Sequence, residues 1–325
     1  MSTARTGLVS LLRLDPATYR PHAIHAGGAT YGETNCYADI LIELVHARGD
    51  EPLAAMGSAL RLDFEGDQWT FFKPAPEDLE GLFGIDIHEM QPYRPLPEQI
   101  AEQLEAGRTI IVELDSFFLP DTASTAYGRD HVKSSVAAEA IDLGAERLRY
   151  FHNAGYFELE GEDYREALRV SARELSGDVL PPYTELVRFD AGPRLTGEEL
   201  KAAAADRVRG HLARRPADNP FPRFGAALQA RLPELLVGDA QEYHDYAFAT
   251  VRMFGAGFEV CALLTDWLLG DQGAPASEAL RRIVDDAKVL SFKLARRRAF
   301  DPEPAIEALG AAWDQAMGRL DDDLA

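Results

Sequence analysis

The pattern of apolar and polar positions divides the chain into two halves of different character. In the first, Tyr37, Ile40, Leu41, Leu44 and Val45 fall at i, i+3, i+4, i+7 and i+8, the spacing of a helix with one buried face. A Gly-rich loop (Gly27, Gly28, Gly32) leads into it, and Thr34 or Asn35 supplies the N-cap. Short segments of strand character follow at 59–64, 69–73 and 85–90. A polar helix over 97–106 precedes Thr-Ile-Ile-Val-Glu-Leu at 109–114, the clearest buried strand in the chain. That strand runs into an Asp- and Pro-containing loop at 115–122. Residues 131–141 and 147–159 then read as two extended arms about the turn Asp142-Leu143-Gly144. A helix followed by a mainly antiparallel sheet predicts an α+β domain over residues 1–190.

Leu180-Pro181-Pro182 through Pro193 reads as a linker. Beyond it the period changes to helical at 196–213, 224–235, 240–269, 276–298 and 302–320, without strand-like runs. Residues 195–325 are therefore expected to form a helical bundle whose acidic end, Asp321-Asp322-Asp323, is frayed.

With 325 residues and 46% hydrophobic positions, the chain can build two domains with proper cores. The formal net charge of −21 argues against nucleic acid as a partner. No uncharged apolar run reaches the roughly 18 residues of a membrane span, and the short apolar piece at 8–12 is no signal peptide, so the expected location is cytoplasmic. Two cysteines, Cys36 and Cys261, make no disulfide framework. One feature runs against the acidic balance. Arg281, Arg282, Lys288, Lys293, Arg296, Arg297 and Arg298 face only Asp285 and Asp286 on one expected helix, which is either a solvated face or a dock for an acidic partner.

Cys36 falls in the first turn of the first helix, where unpaired N–H groups and the positive end of the dipole favour thiolate over thiol. Asp39, one turn on, would oppose this unless its charge is turned away. A thiolate nucleophile needs a base, and the base a group to orient it. Of eight histidines, His131 alone opens an expected strand behind a loop. A turn centred near Leu143 would set Asn153 within two residues of the position opposite His131, where its carbonyl could fix the imidazole tautomer. The ordered set Cys36, His131, Asn153 is thus a candidate triad. His22 and His25 with Cys36 and His131 lack a second close-spaced ligand pair, so no metal is expected, and His25 is placed at the substrate pocket instead. Asp115, Asp121 and Lys133 are further candidates for substrate contacts, with Asx turns as the alternative for the two aspartates. Trp69, Phe71 and Phe72 read as core, and Cys261 as buried and inert.

Cysteine at a helix start, histidine opening a strand and asparagine closing the next resembles the papain-like superfamily, in particular its bacteriocin-leader-processing peptidase branch. The stretches Gly-Glu-Thr-Asn-Cys-Tyr-Ala-Asp, Asp-Gln-Trp-Thr-Phe-Phe-Lys, Phe-Leu-Pro-Asp-Thr with His-Val-Lys-Ser-Ser, and Tyr-Phe-His-Asn-Ala-Gly-Tyr-Phe-Glu-Leu together resemble a bacterial family known as a domain of unknown function. More remotely, the layout is similar to the butirosin-biosynthesis acyltransferase. The resemblance implies a papain-like domain followed by the helical one, with Cys36 as nucleophile, His131 as base and acid, and Asn153 as orienter. It also implies an acyl carrier protein and an amino-acid:carrier-protein ligase as partners, and no cofactor beyond the phosphopantetheine of the carrier. The glutamine that papain-like enzymes place before the cysteine is missing. The oxyanion donors would then come from Asn35, Thr34 or Thr30, beside the Cys36 N–H.

The expected activity is transfer of an aminoacyl group from a carrier thioester to an amine through a Cys36 acyl-enzyme. Arg281, Arg282, Lys288, Arg296 and Arg297 would dock the carrier. Hydrolysis by the same triad (a peptidase, amidase or thioesterase) is the alternative, and a non-catalytic scaffold binding a carrier protein or ligase is the third.

Overall fold

The computed structural model describes residues 7–26, 29–33, 35–170 and 181–325. Its first elements are β1 (Val9–Ser10), α1 (Cys36–Ala47), β2 (Phe64–Glu65), β3 (Gln68–Trp69), α2 (Pro76–Phe83), β4 (Asp86–Met90) and α3 (Leu96–Glu105). Then come β5 (Thr109–Asp115), β6 (Lys133–Asp142), β7 (Arg147–His152), β8 (Gly155–Glu160), α4 (Gly161–Ala167) and β9 (Thr184–Arg188). Six helices complete the chain: α5 (Gly197–Leu212), α6 (Phe221–Val237), α7 (Ala240–Ala247), α8 (Met253–Leu269), α9 (Ala274–Ala295) and α10 (Glu303–Leu324). The fold is α+β, an antiparallel sheet with helices followed by a helical region.

By contacts the chain forms two compact units. Met1–Ala26, Asn35–Glu51 and Leu79–Arg194 make the first, and Gly27–Thr34, Pro52–Asp78 and Leu195–Ala325 the second. Two early stretches, Gly27–Thr34 and Pro52–Asp78, thus group by contacts with the late helices.

In the first unit an antiparallel sheet has the order β4-β9-β5-β6-β7-β8, with β1 added against β6. Paired residues share a face and successive residues alternate. Ile110, Val112 and Leu114 of β5 thus join Val136 and Ala138 of β6 and Tyr150 of β7 in a dry layer with Ile100 and Leu104 of α3. The other face carries Ile111, Glu113 and Asp115 of β5, Ala137, Ser135 and Lys133 of β6, and Glu185 of β9. Helix α1 packs on β6 and β7, and Tyr37 reaches Glu185 from it, so α1 covers this second face. Asn35 caps the helix, its side-chain oxygen accepting from the Ala38 N–H at 2.9 Å. Instead of one buried face, α1 is buried from Ala38 through Val45, including Asp39 and Glu43.

The presumed linker contains β9, inserted between β4 and β5. Its flanking prolines mimic a linker, while its charged positions are satisfied across the sheet, as by Arg188 on Asp86. The arm expected at 147–159 is a hairpin, β7 and β8, with Asn153 and Ala154 between the paired residues His152 and Gly155. The strand expected at 59–64 is instead the end of a 3₁₀ helix, Pro52–Arg61, whose run of small residues is buried from Pro52 to Leu60.

The second unit is built around Trp69, which is fully buried with its ring centroid 5.0 Å from those of Phe221 and Phe254. Phe72 is buried as expected, but Phe71 is 47% exposed. The apolar window within Ala240–Ala295 is long enough to cross a membrane by composition, yet 67% of it is buried inside the protein. The acidic end is not frayed. Asp321 accepts from Arg215 at 2.6 Å, and Leu320 and Leu324 are buried, so α10 runs to Leu324.

Candidate functional site

Cys36 is half-buried at the first turn of α1, and the charges beneath it are arranged in a closed set. One turn on, Asp39 lies 3.2 Å from His25 Nε2, and two turns on, Glu43 contacts His25 Nδ1. Glu43 also accepts from the Tyr19 hydroxyl at 2.5 Å and the His22 N–H at 3.1 Å. Burial disfavours the charged imidazole, but hydrogen bonds to Asp39 and Glu43 and their charges outweigh it, and His25 is pushed up to about 9. At neutral pH an imidazolium therefore stands between the two carboxylates. The Asp39 charge below the thiol has its counter-ion. The same geometry corrects the expectation for His25. Its side chain is fully buried and spent on this network, so it does not line a pocket.

Where β5 ends, His131 Nδ1 lies 2.6 Å from Asp115 Oδ2. The other Asp115 oxygen accepts from the Phe117 N–H at 3.0 Å, and the Phe117 ring stacks on the imidazole at 4.4 Å and 8°. A carboxylate only accepts, so Nδ1 donates this bond, which in the neutral imidazole leaves the lone pair on Nε2. The His131 side chain is 67% exposed. Next along β6, Lys133 donates to Glu113 at 2.7 Å. Tyr37, adjacent to Cys36, donates to Glu185 at 2.7 Å, and Tyr183 donates to the other Glu185 oxygen at 2.9 Å.

Asn153 is not beside His131. It sits at the β7–β8 turn with φ +46, a left-handed position that asparagine tolerates. Counting on from the pair Ala137↔Phe151 sets Asn153 level with Ser135, four residues from His131 and thus about 13 Å along the strand. The carboxylate beside His131 is that of Asp115, at the end of the preceding strand. Asp121 is likewise engaged elsewhere. It is buried, accepting from the Tyr150 hydroxyl and lying 2.5 Å from His152 Nδ1.

Of the oxyanion candidates, the Asn35 side-chain oxygen is used in the cap, the Thr30 N–H donates to Glu259 at 2.7 Å, and Thr34 lies outside the described residues. In the basic run, Arg281 binds Asp266 and Ser277, Arg282 binds Gln315, and Arg297 binds the Gly238 carbonyl. Lys288 and Arg296 are exposed on α9 beside Val289 and Phe292, themselves 48% and 59% exposed. A cleft lined by Asp67, Arg231, Glu234, Asp239, Glu242 and Tyr246 lies in the helical unit and holds none of these residues. Cys261 is fully buried, and burial pushes its thiol up, away from reactivity.

The pairs His131–Asp115 and Tyr37–Glu185 and the buried His152–Asp121–Tyr150 chain escape sequence reading because each depends on strand register. The one available signal was an aspartate closing the clearest strand, just before the loop that ends at His131.

Two family models match the chain, one described as the DUF1839 N-terminal domain over residues 20–189 and one as the DUF1839 C-terminal domain over residues 197–322. No curated protein matches it.

Proposed function

The chain belongs to the DUF1839 family, and from that premise we propose that it is a cysteine-dependent acyltransferase with Cys36 as nucleophile and His131, oriented by Asp115, as base and acid. The observation that carries this reading is the His131–Asp115 pair. It holds Nδ1 and leaves Nε2 for the role of base, and Cys36 opens a capped helix of the same unit. The papain-like relation and the aminoacyl substrate class come from the resemblance described above, with Asp115 in the role first given to Asn153.

In the first half-reaction the Cys36 sulfur attacks the thioester carbonyl of an aminoacyl carrier. His131 Nε2 accepts the Cys36 thiol proton, the new S–C bond forms as the carrier C–S bond breaks, and the departing thiolate takes that proton from Nε2. In the second, the amine acceptor attacks the Cys36 thioester. His131 removes the amine proton, and Cys36 leaves as thiolate. The exposed α9 stripe of Lys288, Val289, Phe292 and Arg296 is the surface that fits an acidic carrier. Hydrolysis is the second reading, favoured by the 67% exposure of His131, since transfer outruns hydrolysis only where water is excluded.

Intact-mass spectrometry of the protein mixed with an aminoacyl carrier tests the proposal. The expected result is an acyl adduct on Cys36 that persists in water and clears when an amine is added. Clearance by water alone would establish the hydrolase, and absence of the adduct, or its persistence in Cys36→Ala, would end both.

A further inference from the structure

We infer that Glu185 of β9 recognises an ammonium group on the acyl part of the substrate; this rests on the reading of Cys36 as nucleophile. Six acidic residues are buried among the described residues: Asp39, Glu43, Asp50, Asp78, Glu139 and Glu185. A buried carboxylate needs a cation or a full set of donors, because taking its charge out of water is costly. Five of the six have one or the other. His25 faces Asp39 and Glu43, Arg194 faces Asp50, and Arg207 and His211 face Asp78. Glu139 has no cation, but the Ser10 and Tyr156 hydroxyls and the Leu12 and Arg13 N–H groups donate to it. Those donors fill the roughly four lone-pair sites of a carboxylate. Glu185 has neither among the described residues. Its partners are the hydroxyls of Tyr37 at 2.7 Å and Tyr183 at 2.9 Å.

The surroundings deepen the mismatch. Burial and the Glu185 charge raise both phenols, Tyr183 to about 12, so they donate as neutral hydroxyls and bring no positive charge. Glu89 of β4 stands directly opposite Glu185 across the sheet, an arrangement of like charges that repels. The Glu113 charge also bears on Tyr183, and its own cation, Lys133, is taken up at 2.7 Å. What suits such a place is a compact cation that donates N–H bonds. No group of three or more His, Cys, Asp or Glu residues that could hold a metal ion occurs among the described residues. Tyr37 is the residue after Cys36 in α1, so the carboxylate it contacts is one side chain away from the backbone of the nucleophile. Tyr183 is 43% exposed, which leaves that side of the carboxylate next to solvent. An amine held by a carboxylate stays protonated and has no lone pair with which to attack. The group that fits is therefore the unreactive ammonium of the acyl chain, and not the acceptor amine.

The test measures acylation of Cys36 by the glycyl and β-alanyl thioesters of N-acetylcysteamine and by their neutral isosteres, the propionyl and butyryl thioesters, in which methyl replaces ammonium. Each rate is divided by that of the same thioester with free N-acetylcysteine, which removes differences in intrinsic reactivity. Wild type is expected to prefer the ammonium member of at least one pair by at least about tenfold in kcat/KM. Glu185→Gln, which keeps the shape and removes the charge, should bring that ratio to within about twofold of unity. The ratio compares two substrates on one protein, so any loss of folded material cancels. Hydrogen exchange over Thr184–Arg188 shows that β9 stays paired in the variant. A wild type that prefers neither ammonium member overturns the inference, and so does a preference that survives in Glu185→Gln. Both of those outcomes leave the Cys36 acyl-enzyme standing. A wild type that takes an acyl group from none of the thioesters removes the reading of Cys36, and the inference with it.

Discussion

The His25 network makes a pH prediction that can be worked from the structure. In the unfolded chain His25 titrates at 6.5, whereas in the fold it titrates at about 9 because Asp39 and Glu43 hold its charged form against burial. A histidine with a raised folded pKa contributes stability that is complete below pH 6.5 and is lost as pH climbs through about 9. At 1.36 kcal/mol per unit, the loss across this window is about 3 kcal/mol. At its upper end the window meets the ordinary range of a thiol, but Cys261, which burial pushes up, belongs to the second unit. Burial raises Tyr19, Tyr37, Tyr150 and Tyr156, so their titration in the unfolded chain begins to matter only near pH 10. Trp69, Trp267 and Trp313 all lie in the second unit and do not report on this network. The assay is therefore hydrogen exchange of the α1 amides over Leu41–Val45, corrected for intrinsic exchange, from pH 6 to 9.5. Wild type should lose about 3 kcal/mol of protection energy, and Asp39→Asn, which keeps the shape and removes one charge, roughly half of that. Flat protection in wild type, or an NMR titration of His25 below 6.5, would refute the reasoning.

Three further outcomes follow from the same geometry. Asp115→Asn should lower Cys36 acylation by about 10²- to 10⁴-fold, whereas Asn153→Gly, at a left-handed turn position, should leave it unchanged; equal effects of the two would return the orienting role to Asn153. Asn35→Ala removes the α1 cap and should cost about 1 kcal/mol in urea unfolding of the first unit followed by α1 exchange. Charge reversal at Lys288 and Arg296 together should raise KM for a carrier-bound substrate about tenfold at low salt, and should not change KM for a small thioester.

Local signals were read well where one residue's neighbours in sequence decide its state. The apolar spacing and cap of α1, the β-branched run of β5 and the helical period after residue 196 all lie in short windows and appear in the structure with shifted ends. Periodicity fails where burial is two-sided or where small residues dominate. Asp39 and Glu43 look solvent-facing because their counter-ion, His25, comes from a loop 14 and 18 residues away. Residues 59–64 alternate in hydropathy, but the Ala, Gly and Ser residues of Pro52–Arg61 permit a tight helix that is buried from Pro52 to Leu60. Cys36 stands at a helix start as expected and His131 just before a strand, while the expected neighbourhood of Asn153 and His131 is not what the register gives. Cross-strand partners follow from register, and the long loop between β5 and β6 sets Asp115 opposite Lys133 rather than leaving His131 opposite the next turn.

The interleaving of the two units bears on biosynthesis. Trp69 leaves the ribosome about 150 residues ahead of Phe221 and about 185 ahead of Phe254, the rings that enclose it. At about 5–20 residues per second, that indole waits roughly 8–40 s for its partners. A gene fragment ending near residue 195 would leave it waiting permanently, so the amino-terminal half expressed alone is expected to accumulate as aggregate even though its sheet is complete.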